Sequence, residues 1–129
     1  MFALSKMKVG LTPPIEYKDA TASEAYTVGE ALKVASGAVT KCTGATKPAY
    51  VCVGPANAAG QVPCVAVQDY MEFETTLGVA PTESATVAVG DKLTIHTDGA
   101  SVTATTTSGV AEVLAIDGQT VGSRVVVRF

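Results

Sequence analysis

The chain has no tryptophan, three phenylalanines, four tyrosines, one histidine and three cysteines. So few aromatics leave little from which to build a stacking platform for sugars. A serine or cysteine nucleophile activated by imidazole would have to use His96, because no other histidine exists. The cysteines, Cys42, Cys52 and Cys64, are odd in number and lack the paired spacing of a zinc site. Buried free thiols are the expectation for them. Cys52 and Cys64 become neighbours if 51–53 and 65–67 form a hairpin, but a disulfide there needs an oxidising compartment that nothing else in the sequence points to. No apolar run approaches the roughly 20 residues of a spanning helix. Nine Lys and Arg against twelve Asp and Glu give a net charge of −3, with no basic block. That balance repels a phosphate backbone, so neither a membrane nor nucleic acid is an expected partner. Residues 1–10 carry Lys6 and Lys8 without the apolar stretch of a signal peptide, so folding in a cytoplasm is expected.

What is abundant is small and β-compatible. Hydrophobic residues make up 47% of the 129, dominated by Ala and Val, and Thr and Ser fill much of the rest. This is enough for one core, and Val and Thr suit pleated sheets. From Tyr26 onward, short β-type segments are punctuated by glycine about every ten residues, the rhythm of an all-β sandwich or small β-barrel. Strands are expected at Ala31–Val34, Val39–Cys42, Ala49–Val53, Cys64–Val67, Met71–Thr76, Lys92–His96, Ser101–Thr105, Gly109–Ile116 and Arg124–Phe129. Ser36-Gly37, Asp98-Gly99 and Asp117-Gly118 supply turns between them. A weak repeat recurs as Val28-Gly29-Glu30, Val89-Gly90-Asp91 and Val121-Gly122-Ser123, each followed by alternating positions. It predicts one small barrel with recurring corners, the last copy supplying a final strand that closes the sheet. Residues 1–24 differ: their charges and Pro13-Pro14 predict an extended N-terminal arm, with a plain flexible terminus as the alternative, ahead of a single domain over 25–129.

No catalytic, cofactor-binding or metal-binding residue is assigned. In the alternation 92–96, Leu93 and Ile95 take the core face, and His96 shares the solvent face with Lys92 and Thr94. Glu72 and Glu74, two apart on a strand, point one way while Phe73 points inward. They fit pairing with basic groups such as Arg124 and Arg128, which share one face of the last strand, better than acid/base chemistry. The stretch 54–60 contains glycine but no Lys and hydroxyl to hold a phosphate, and reads as a hairpin tip. The run 103–108 is Thr-rich, as an edge segment would be.

The order of segments 26–41, 46–53, 62–67 and 89–95 resembles small structural proteins of tailed bacteriophages and prophages, in particular the head-decoration, capsid-stabilising class. The likeness covers most of 26–129 and rests on patterns of Gly, Val and Thr. It implies a non-enzymatic virion protein, made in the bacterial cytoplasm, that binds the major capsid protein on the head surface and reinforces it. It further implies a homo-oligomer, a trimer above all, held partly by the terminal arm. A phage tail component, or a bacterial adhesion or ligand-binding β-domain, is the alternative that the same patterning allows.

Overall fold

In the computed structural model, which describes residues 1–7 and 12–129, the alternation seen in the sequence becomes burial. Along Met71–Val79, residues 71, 73, 75 and 77 are buried and 72, 74, 76 and 78 face outward. The strands in chain order are β1 (Ala3–Met7), β2 (Glu16–Asp19), β3 (Ala31–Ala35), β4 (Ala38–Lys41), β5 (Tyr50–Cys52) and β6 (Gln61–Ala66). They continue as β7 (Met71–Val79), β8 (Lys92–Leu93), β9 (Val102–Thr103), β10 (Ala111–Ile116) and β11 (Arg124–Arg128). One sheet runs β1-β7-β11-β10-β8, with β9 parallel to the end of β7; the other runs β2-β6-β5-β3-β4.

The fold is an all-β, sandwich-like pair of sheets and not a closed barrel. The main core, between the sheets, includes Phe73, Leu77, Leu93, Ile95, Val113 and Val127. The second sheet also curls on itself around a smaller core of Tyr26, Leu32, Val39, Cys52, Val62 and Cys64. Its two edges touch at one parallel bridge, Ala20 to Val39, and the Tyr26 hydroxyl donates to the Val39 carbonyl at 2.6 Å. Successive residues on β5 and β6 therefore serve different cores: Val51 and Val65 face the sandwich, and Cys52 and Cys64 the curl.

All nine segments expected after Tyr26 contain strands, but two expectations about the ends need correcting. The final strand does pair with an earlier one, β7, but it lies in the middle of its sheet between β7 and β10 and closes no barrel. Nor do residues 1–24 form a separate arm. β1 pairs antiparallel with β7 and β2 with β6, so the segment contributes a strand to each sheet. Phe2 is 2% exposed, and its ring meets Phe129 edge-on at 5.2 Å. Charge and a proline pair read as an arm because the short strands flanking them are only one-sidedly apolar. Lys8, one of the charges expected there, lies outside the described residues.

The Val-Gly repeat is a repeated piece of structure. Gly29, Gly90 and Gly122 have φ of +85°, +95° and +88°, the conformation that the third residue of a type II turn requires. In each copy the residue after glycine donates its N–H back to the residue before valine: Glu30 to Thr27, Asp91 to Ala88, Ser123 to Thr120. Its side chain then accepts from that same residue's N–H, through Glu30 Oε2, Asp91 Oδ2 and Ser123 Oγ. The glycine N–H crosses to a strand carbonyl, on Cys52, Val113 or Leu77. That strand residue returns its own N–H to the carbonyl of Glu30, Asp91 or Ser123. Glu, Asp and Ser share the place because each offers an oxygen acceptor at that reach. Between β10 and β11, the chain has its left-handed glycine at this corner, Gly122, and not at the expected Asp117-Gly118.

Two outcomes follow for stability. Phe2→Ala should lower the free energy of unfolding by about 3–5 kcal/mol, the cost of an emptied aromatic site in a packed core; a change near zero in urea titration would mean that the segment is not part of the fold. Gly90→Ala and Gly122→Ala should each cost about 1–2 kcal/mol from backbone conformation, since nothing crowds an added Cβ there. Gly29→Ala should cost more than either, because its Cβ would fall 1.9 Å from Met1 Cγ. Equal losses at all three would contradict that difference.

Candidate interaction surface

His96 follows Leu93 and Ile95, which point into the core as expected at 0% and 2% exposure. Its own side chain is only partly open, 29% exposed, and lies over Gly78 of β7. A Cβ on Gly78 would meet Ser101 Oγ at 2.4 Å and His96 Cγ at 3.0 Å, so the glycine is what lets this cluster approach the strand. His96 Nδ1 is 3.3 Å from Asp98 Oδ2, and Ser101 Oγ donates to the same oxygen at 2.8 Å. A histidine, a carboxylate and a hydroxyl are thus brought together, which strand parity alone does not predict. Their order differs from that of a catalytic triad, in which the serine hydroxyl bonds to the imidazole and the carboxylate orients the far nitrogen. Here the hydroxyl is spent on the carboxylate, and Ser101 is 4% exposed.

Asp98 is the organiser of its turn. Its Oδ1 accepts from the backbone N–H of Ala100 and of Ser101 at 2.8 and 3.0 Å. Partial burial pushes its pKa up. The N–H of Ala100, the hydroxyl and N–H of Ser101, and His96 together outweigh that and hold it below the usual carboxylate range. The cluster is a braced hairpin end.

Glu72 and Glu74 do share the outer face of β7, and the basic residues expected to meet them are there. Arg124 bridges Glu74 at 2.8 Å and Asp117 at 3.2 Å. Arg128 binds Glu112 of β10 at 2.8 Å, and that hydrogen bond and charge hold the Glu112 carboxyl below its ordinary value. Lys6 is in register with Glu72, and Glu112 with Lys92. Extending the β7–β11 register by one residue sets Arg128 opposite Glu72, whose charge it feels. Lys6, Glu72, Arg128, Glu112 and Lys92 therefore form one row across five strands with alternating sign. Exposed pairs of this kind add little stability singly. Their collective effect is a sheet face on which each acid of the row is flanked by two bases.

Cys52 and Cys64 stand directly opposite each other on β5 and β6, as the hairpin reading requires, and both are free and buried. The Cys52 N–H and C=O both turn to the corner at Gly29 and Glu30, so this is a pair without mutual backbone hydrogen bonds, the closer type of cross-strand neighbour. Cys52 Sγ lies 2.9 Å from the Gly54 carbonyl. Burial, reinforced by the Glu16 carboxylate, pushes the Cys64 thiol up to about 11. Among the described residues no group of three or more His, Cys, Asp or Glu is placed to hold a metal ion. The 54–60 stretch is the β5–β6 hairpin tip, where Asn57 Oδ1 accepts from the N–H of Ala59 and Gln61. Within the Thr-rich run, Thr103 shares a 2.6 Å hydroxyl contact with Thr94.

The surface also presents large apolar side chains. Val28, Val89 and Val121, the valines of the three corners, are 53%, 66% and 67% exposed. Ile15, Tyr17 and Val34 are also more than half exposed. Sequence reasoning placed the corners but missed these side chains as surface features. The signal was there: valine before a left-handed glycine is at the outer apex of its turn.

No protein-family model, curated protein or solved structure matches this chain.

The thiols carry a pH signature. A folded Cys64 keeps its proton where the unfolded one, near 9, loses it, so stability should be full below pH 9 and fall as pH climbs toward 11. Cys64→Ser should flatten that alkaline decline in melts taken from pH 8 to 11. An unchanged slope would show that Cys64 is not its source.

Proposed function

We propose that the chain is a non-enzymatic structural protein of a phage or prophage virion, a capsid-decoration protein that binds and stabilises the head shell. The observation that carries this reading is the set of three exposed valines on hydrogen-bonded corners. An apolar side chain presented from a rigid turn loses little freedom when a partner covers it, which favours binding to a protein surface. The row of alternating charge on the outer sheet face supports the same view, because it offers no patch of a single sign to gather a charged small substrate. The likeness of segment order to head-decoration proteins supplies the partner, the major capsid protein, and a homo-oligomeric state with a trimer favoured.

The reading on the N-terminal segment changes with the fold. Deleting residues 1–20 removes β1, β2 and the buried Phe2, so a loss of shell attachment in such a variant would report unfolding. Shell contacts have to be sought by point substitution at exposed positions.

Particles purified after prophage induction should contain this 13.1 kDa chain at a copy number near that of the main shell protein, by quantitative mass spectrometry. A few copies per particle would place it in the tail or connector instead. Complete absence from well-formed particles would overturn the virion reading.

A further inference from the structure

β1 is the edge of its sheet, and its burial pattern is the most open of any strand described. Two independent observations establish which way its backbone points. The Phe2 N–H donates away from β7, to the Gly29 carbonyl at 2.8 Å. On β7, Leu77 exchanges backbone hydrogen bonds with the Gly122–Ser123 corner on the β11 side. By alternation Phe73 and Thr75 also turn to β11, and Glu74 turns to β1. Glu74 is opposite Ala3, so Ala3 bonds to β7 and the N–H and C=O of Leu4 point outward from the sheet. A bulge at Ser5 follows immediately.

Beside that edge, where Leu4 has no backbone partner among the described residues, is an apolar groove of about 180 Å³. Its floor includes Val51, Val65 and Phe73, all buried, and its rim includes Leu4, Val28 and Val53 at 38%, 53% and 36% exposure. None of its lining side chains is charged, and the α-ammonium of Met1, which also borders it, donates to the Ala100 carbonyl. The bond from Phe2 to Gly29 bars one end.

We propose that the β1 edge and this groove form an acceptor for one extended strand of a partner protein. A main-chain donor and acceptor on one residue, flanking an apolar slot, is what an added strand satisfies: backbone bonds to Leu4, with alternate aliphatic side chains entering the groove. The rim is far smaller than the roughly 20–30 residues a side that a stable globular interface uses, so a whole face of a second copy is a poor fit. The outer face of the same sheet, with its row of alternating charge, does not extend the patch. The inference rests on the protein-binding reading above, but not on a phage shell being the partner.

The test uses the full chain and a displayed library of heptapeptides alternating Val, Leu, Ile or Ala with Thr or Ser. Peptides enriched on the wild-type chain should slow exchange of the Leu4 amide at least tenfold in NMR-detected hydrogen exchange. Leu4→Arg and Val53→Arg should each weaken the selected peptide tenfold or more, while Val34→Arg, away from the groove, binds as wild type. Unfolding midpoints verify that each variant is folded, and Val53→Arg decides the matter if Leu4→Arg is not. No enrichment over the same library on the Val53→Arg variant, or protection at amides away from β1, would overturn the acceptor. Because this assay needs no particles, it is decided separately from whether the chain occurs in virions.

Discussion

A glycine held near φ +90° is the constraint on which most of this structure depends. At each Val-Gly corner the left-handed residue lets the chain reverse while its N–H reaches across to a neighbouring strand. The next residue then returns the bond and caps the turn with its own side chain. One local conformation thus sets the start of β3, of β8 and of β11, and ties each to β5, β10 or β7. With two tethers across every corner, the register of the paired strands is decided where they begin. A one-residue slip would turn the buried valines outward and the glutamates inward.

The two cores follow from that register. Since side chains alternate with period two, β5 and β6 hand odd residues to the space between the sheets and even ones to the curl. Small side chains make the curl feasible: two cysteines face each other where larger residues would force the sheet open. The same smallness leaves no room for reactive thiols. Cys52 and Cys64 are neighbours, yet burial keeps them protonated, and the thiolate is the form that would attack or bind a metal.

On the surface, the chemistry is organised by pairing. Asp98 holds Ser101 and sits against His96, Arg124 holds Glu74 and Asp117, and Arg128 holds Glu112. Groups that look functional one at a time in the sequence are committed to one another in the fold. Among the described residues, aliphatic side chains at the corners and the outward backbone of one edge strand stand outside these pairs, and they are the material of protein–protein contact.

By itself the sequence determined the all-β class, the nine strands after Tyr26, the inward faces of 71–76 and 92–96, the recurrence of the corners and the pairing of Glu74 with a basic residue of the last strand. These are legible because glycine conformation and period-two alternation act over a few residues. Tertiary structure alone decided the rest. Whether Ala3–Met7 and Glu16–Asp19 are an arm or strands depends on partners roughly 45 to 70 residues away, β6 and β7, which no local pattern encodes. Barrel or sandwich depends on how far the second sheet curls before its edges meet, at Ala20 and Val39. His96 meets Asp98 and Ser101 because Gly78, on a different strand, lacks a side chain. The groove at β1 arises where two sheets lie side by side, and such a space belongs to neither segment of chain until both are folded.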